Sequence, residues 1–235
     1  MRDVHIAIID DGVNEGYYGP LYLEHNIVIT ENLEAVERQE YDSWKFSHGT
    51  VCAGIINKYC SNAKLSSIKV LNDNMRGSIE RLIYAIEWCI DKDVDIINLS
   101  IGTVHSKDKK ILRKIIDKAS GKDLIIAAAK SNEDIETYPA CFHNVLGIKS
   151  DKNNILEEGQ FIYNIEPEDG IEITACARHK LVNYLGEVKI TPNWNSYAVP
   201  MISAIIADMM KEHEKLSLAE IKEKLWRRYN NISKP

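Results

Sequence analysis

Short runs of consecutive apolar residues, each closed by a polar or turn-forming residue, alternate along the chain with longer stretches in which apolar positions recur every three or four residues. The runs at 4–9, 64–70, 94–99, 124–128 and 145–148 have strand length and predict strands. Between them, residues 78–92 set Ile79, Leu82, Ile83, Ile86 and Ile90 on one face at helical spacing. Residues 50–58, 107–119 and 203–211 follow the same rule, and 217–228 opens with Ser217 and Glu220 in a capping-box arrangement. Segments such as Asp95-Ile96-Ile97-Asn98-Leu99 are largely apolar in both alternating registers, which suits a sheet covered on both sides. The pattern therefore predicts an α/β fold, doubly wound, with a mostly parallel sheet and helices on both faces. Residues 151–192 break the alternation: short segments at 159–163, 171–174 and 186–189 predict edge strands or hairpins, with little helix. No repeat, low-complexity tract or Pro/Gly-rich linker divides the chain, so residues 1–235 are expected to form a single domain.

Composition narrows the partners. With 45% hydrophobic and 27% charged residues, the 235-residue chain has the make-up of a soluble globular domain with a sizeable core. A net charge of −6 weighs against non-specific nucleic-acid binding, which needs clustered Lys and Arg not offset by carboxylates. The longest apolar runs fall well short of the roughly 18 residues of a membrane span, so neither nucleic acid nor membrane is an expected partner. Five scattered cysteines (Cys52, Cys60, Cys89, Cys141 and Cys176) without a C-x-x-C pair predict neither a disulfide framework nor a zinc site, and suit a reducing compartment. The start, Met1-Arg2-Asp3-Val4-His5 followed by four apolar residues, is too short for a signal-peptide core, so a cytoplasmic location is expected.

In open α/β sheets the ligand crevice lies at the carboxyl ends of the strands, so polar residues directly after apolar runs are the first candidates for chemistry. Asp10 closes Ile6-Ala7-Ile8-Ile9 and precedes Asp11-Gly12; alone, a turn or a metal-binding carboxylate explains it more often than catalysis does. His48 stands in Ser47-His48-Gly49-Thr50-Val51-Cys52-Ala53-Gly54 at a helix start, among small residues that allow close packing. Asn132 follows the run 124–129 in a turn, where an Asn is ordinary. Ser196 stands in Asn195-Ser196-Tyr197-Ala198-Val199-Pro200, where Asn195 or Ser196 alone reads as a helix cap with Pro200 in the first turn. There is no G-x-S-x-G elbow, and the acid-His-Ser order is wrong for an α/β-hydrolase; H-E-x-x-H is absent as well.

Taken together, Ile8-Ile9-Asp10-Asp11-Gly12-Val13, His48-Gly49-Thr50, Lys69-Val70-Leu71, 95–102, Ala127-Ala128-Ala129 with Asn132-Glu133, Tyr138-Pro139, and Ser196-Tyr197-Ala198-Val199-Pro200 resemble the motifs of subtilisin-like serine peptidases. The resemblance spans nearly the whole chain and is weakest at 151–192. It implies Asp10, His48 and Ser196 as the catalytic triad, with Asn132 and the Ser196 backbone N–H stabilising the oxyanion. It also implies a peptide or protein substrate bound as an extended strand along 75–79 and 99–102, with Gly77, Ser78, Ser100, Ile101, Gly102 and Glu133 as substrate-binding residues. Glu133, Asp134 and Glu136 near the first specificity pocket suggest a preference for Lys or Arg before the cut, and Asp11 and Cys52 echo the kexin-like branch.

Three departures from the family shape further expectations. Trp194-Asn195 replaces the usual Gly-Thr before the nucleophile; Trp cannot adopt a Gly-only conformation, and Asn195 is a substitute oxyanion donor. If that geometry fails, the alternative is an inactive peptide-binding module. The stretch between His48 and Lys69 lacks the inserted loop that carries calcium in secreted members, so no metal or cofactor is expected, and a chelator should leave stability and activity unchanged. No propeptide is expected, which with a cytoplasmic location suggests selective processing of a peptide precursor.

Overall fold

The structure, a computed structural model, describes residues 2–133, 135–213 and 215–232, with side chains described up to Tyr229. Strand β1 (His5–Asp10) lies inside a nine-stranded sheet. Beside it on one side are β4 (Lys64–Lys69), β2 (Leu23–Ile29) and β3 (Ala35–Glu37). On the other side are β5 (Ile96–Leu99), β6 (Ile125–Ala129), β7 (Leu146–Ser150), β9 (Ile173–Ala175) and β8 (Phe161–Tyr163). Pairing from β2 through β9 is parallel, and only the edge strands β3 and β8 run antiparallel. Strand periodicity sends alternate residues to opposite faces. Ile6 and Ile8 enter a core shared with α1 (His48–Tyr59), α4 (Asn195–Met210) and α5 (Leu218–Ile232). Ala7 and Ile9 enter a second core shared with α2 (Ile79–Asp91) and α3 (Lys109–Ser120). This is the doubly wound arrangement the apolar runs predict. Among the described residues, no helix is long and apolar enough to cross a membrane.

The structure departs from the sequence reading in two places that matter. Strands β2 and β3 were not expected: Glu24, His25 and Asn26 interrupt the run, leaving Ile27 and Ile29 to carry the core contact. Helix α4 begins at Asn195, ahead of the periodic stretch 203–211 and one residue from the cap read at Asn195 or Ser196, and Pro200 lies inside it. A proline there removes the N–H that would reach the carbonyl of Ser196. Ser100 Oγ donates to that carbonyl instead, at 3.0 Å, so the helix runs through the proline with its acceptor satisfied. Residues 151–192 carry no helix. Beyond β8 and β9 they form a separate hairpin, β10 (Lys180–Val182) with β11 (Val188–Ile190).

Candidate active site

Strand β1 is flanked by β4 and β5, where strand order reverses, so the crevice of the sheet opens at its carboxyl end and Asp10 is its last residue. Helix α1 is brought to the same point by its first turn. Ser47 Oγ accepts from Thr50 N at 3.2 Å and donates to Gly12 O at 2.7 Å. The Asp11 carboxylate accepts from His48 N at 3.0 Å and Gly49 N at 2.7 Å, satisfying N–H groups that have no acceptor within the helix. Burial, and then the neighbouring Asp10, push the Asp11 pKa up. A Cβ on Gly49 would lie 2.7 Å from Gly12 O, so only glycine lets α1 approach the end of β1 this closely.

His48 Nδ1 lies 2.8 Å from Asp10 Oδ2, and Nε2 lies 3.0 Å from Ser196 Oγ. Asp10 is fully buried, and its other oxygen accepts from Asp11 N at 2.8 Å. Burial works to lower the His48 pKa, but the adjacent Asp10 carboxylate outweighs it and holds the imidazole above its ordinary value. Cys52 Sγ is 3.9 Å from His48 Nδ1, and burial pushes its thiol up, keeping it uncharged. Among the described residues, Asp10, His48 and Cys52 present ligand atoms within 4.8 Å of one another, close enough to hold a metal ion, although an ion there would compete with the Asp10–His48 hydrogen bond.

The Tyr197 ring stacks on His48 at 5.0 Å between centroids, and Trp194 stacks on Tyr197 at 5.8 Å. Trp194 has φ −105° and ψ 145°, ordinary extended backbone, so the concern that tryptophan distorts the approach to the nucleophile is overturned. The expected role of Asn195 is overturned as well. Its Oδ1 accepts from Ser150 N at 2.9 Å and Ser150 Oγ at 2.8 Å, and its Nδ2 donates to Lys130 O at 3.1 Å and Ser131 O at 2.7 Å. A buried amide so committed ties α4 to the ends of β6 and β7 and has no donor left for an oxyanion. Its backbone N–H donates to Asn132 Oδ1 at 2.9 Å, which leaves the Asn132 Nδ2 end available to the cleft. Asn132 and Ser196 line that cleft together, in a volume of about 210 Å³ with Ser100, Ile101 and Gly102.

Gly77, Ser78, Ile101 and Gly102 meet in a second, adjoining groove of about 550 Å³, where Ser78 also caps α2 by accepting from Arg81 N. Glu133 lines a polar cavity of about 960 Å³ with Lys149, Glu166 and Asp169, which adjoins the small cleft through Lys130, Ser131 and Asn132. Glu136 binds the Tyr138 hydroxyl and Lys109. Among the described residues neither Glu133 nor Glu136 lines the small cleft, and Asp134, the third acid named for a preference for Lys or Arg, lies outside the described residues. Glu133 is thus beside the small cleft, across the shared wall of Lys130, Ser131 and Asn132, and does not line it.

His179, unremarked in the sequence, is fully buried beneath α4. Its Nε2 donates to Tyr197 O at 3.0 Å, its Nδ1 accepts from Tyr59 OH at 3.0 Å, and burial lowers its pKa to about 4. The unfolded chain therefore takes up this proton first as pH falls below 6.5, and stability is lost between 6.5 and about 4, by at most about 3 kcal/mol. Urea midpoints across that range are expected to fall more steeply for the wild type than for His179→Gln.

A doubly wound sheet with acid, imidazole and hydroxyl hydrogen-bonded in series at its carboxyl edge is the arrangement of a subtilisin-like serine peptidase. The chain belongs to the Subtilase family, whose sequence profile matches residues 1–232. It is 25% identical to the minor extracellular protease Epr of Bacillus subtilis (strain 168), covering 95% of this chain and 34% of Epr. It is 22% identical to subtilisin DY of Bacillus licheniformis, covering 95% of this chain and 82% of that protein. Among solved structures, the S41 psychrophilic protease superposes with a TM-score of 0.75 at 20% identity, over 96% of this chain and 82% of that one. A lanthipeptide protease superposes with a TM-score of 0.69 at 16% identity, over 94% and 78%.

Proposed function

We propose that the chain is a serine endopeptidase in which Ser196 Oγ attacks the peptide carbonyl while His48 Nε2 takes its proton and later returns it to the leaving amine. Asp10 fixes the tautomer and supports the charged imidazole. The developing oxyanion receives Asn132 Nδ2 and the Ser196 N–H, which stands in the first turn of α4 and has no acceptor within the helix. The observation that carries this reading is the unbroken series Asp10 Oδ2, His48 Nδ1, His48 Nε2 and Ser196 Oγ, with separations of 2.8 and 3.0 Å at the two hydrogen bonds. An alkyl fluorophosphonate is expected to label Ser196 in the wild type and not in Ser196→Ala; a silent wild type would favour a peptide-binding module.

Selective processing of a peptide precursor is the role we assign. A neighbour in fold described as a lanthipeptide protease supports it, as do two adjoining grooves that suit an extended peptide. Epr is described as extracellular, so the cytoplasmic location draws no support from that relative. Detection of the protein in fractionated cells and medium tests the location.

A further inference from the structure

We propose that Thr137 is the floor of the first specificity pocket and restricts cleavage to bonds that follow a small uncharged residue such as alanine, serine or glycine. The inference rests on the peptidase reading above. A substrate strand laid along 100–102 puts the side chain preceding the cut into the cleft of about 210 Å³ that Ser196 and Asn132 share, and Thr137 is part of that lining.

Three features close its base. Thr137 is 4% exposed and its hydroxyl is committed twice, accepting from Ser131 N at 2.9 Å and donating to Ile135 O at 3.0 Å. That fixes the rotamer and turns the Cγ2 methyl towards the opposite wall, where it stands 3.2 Å from the position a Cβ on Gly102 would take. The walls are also laced together beneath it. Thr103 and Tyr138 exchange N–H···O bonds of 2.8 Å in each direction, and Tyr138 O lies 2.7 Å from the same Gly102 position. Tyr138 has little freedom to swing away, because its ring packs on Phe142 at 5.5 Å, carries Lys109 over its face at 4.8 Å, and its hydroxyl is bonded to Glu136.

Electrostatics point the same way. Among the described residues of the lining the charged side chain is Lys130, whose ammonium is 2.8 Å from Asp169. A lysine or arginine of the substrate would meet no carboxylate among the described residues of the lining, and a leucine or phenylalanine would have to displace Thr137 or Tyr138. Overpacking of this kind corresponds to about a tenfold to hundredfold loss in kcat/KM.

The test is inactivation by peptidyl diphenyl phosphonates that differ only in the residue preceding the phosphorus. The alanine probe is expected to react with wild type at least tenfold faster than the leucine, phenylalanine, lysine or glutamate probes. Thr137→Ser keeps both hydrogen bonds and removes only the methyl, so the alanine-to-leucine ratio should shrink severalfold. Thr137→Val keeps the methyl and drops the hydrogen bonds, so the ratio should persist. A wild type that prefers a large or charged probe, or shows no preference, overturns the inference; so does an unchanged ratio in Thr137→Ser. An alkyl fluorophosphonate, which needs no pocket, separates the two claims. If it labels Ser196 while the preference is wrong, only the pocket assignment falls, and if it fails to label, the peptidase reading falls and takes the pocket with it.

Discussion

Asp10→Asn is expected to reduce turnover by on the order of 10⁴-fold while the protein stays folded. The structure dictates which way the new amide must face. One oxygen of Asp10 accepts from Asp11 N at 2.8 Å and the other accepts from His48 Nδ1. An asparagine can keep the first bond only by placing its oxygen there, which aims its NH₂ at Nδ1. The imidazole must then accept at Nδ1 and carry its proton on Nε2, where it can no longer take one from Ser196 Oγ. Removing the carboxylate also removes the charge that raises the His48 pKa, so the acid limb of the remaining kcat/KM profile should move to lower pH. Steady-state rates across pH on any cleaved peptide check both effects. Loss of less than tenfold would show that Asp10 does not set the tautomer.

The parts of this site legible in the sequence are those that terminate a buried strand or begin a helix. Asp10 follows an apolar run whose residues alternate between two cores, and such a run can be recognised without knowing what it packs against. His48 stands after a capping serine, and Ser196 stands in the first turn of an apolar helix. What escaped are contacts between segments distant in the chain. The bonds of Asn195 to Lys130, Ser131 and Ser150, that of Ser100 to the Ser196 carbonyl, and that of His179 to Tyr197 join residues with no shared local pattern. A helix start at Asn195 or Ser196 with Pro200 in its first turn is legible, but sequence alone does not reveal that the Ser100 hydroxyl, just past β5, satisfies the carbonyl the proline frees. Adjacency of Glu133 to Asn132 likewise says nothing about which side of the chain its carboxylate takes, and it lines the cavity beside the small cleft.

Trp194 shows how the departures from the family are accommodated. Its φ is negative, so no glycine is required, and its indole extends the stack over Tyr197 and His48. With Asn195 buried and holding the ends of β6 and β7, the two residues that seemed to threaten the nucleophile instead fix the loop that presents the oxyanion donor.

Asn132→Ala should for that reason lower kcat about 10²- to 10³-fold and leave KM nearly unchanged. The Asn132 amide is held before substrate arrives. Its oxygen accepts from Asn195 N, and Asn195 is itself fixed by four side-chain hydrogen bonds to backbone and Ser150. A donor fixed in this way needs no reorganisation as charge develops on the substrate oxygen, and that charge is absent from the ground state, so the loss appears in kcat. Asn132 is exposed, but its oxygen is the acceptor for the N–H of buried Asn195, so truncation should also cost about 1 kcal/mol of stability without unfolding the domain. Asn132→Asp sharpens the test: one oxygen can still accept from Asn195 N, while the other puts negative charge where the Nδ2 donor stood, so activity should fall at least as far as in the alanine variant. An aspartate variant more active than the alanine variant would place the oxyanion donor elsewhere.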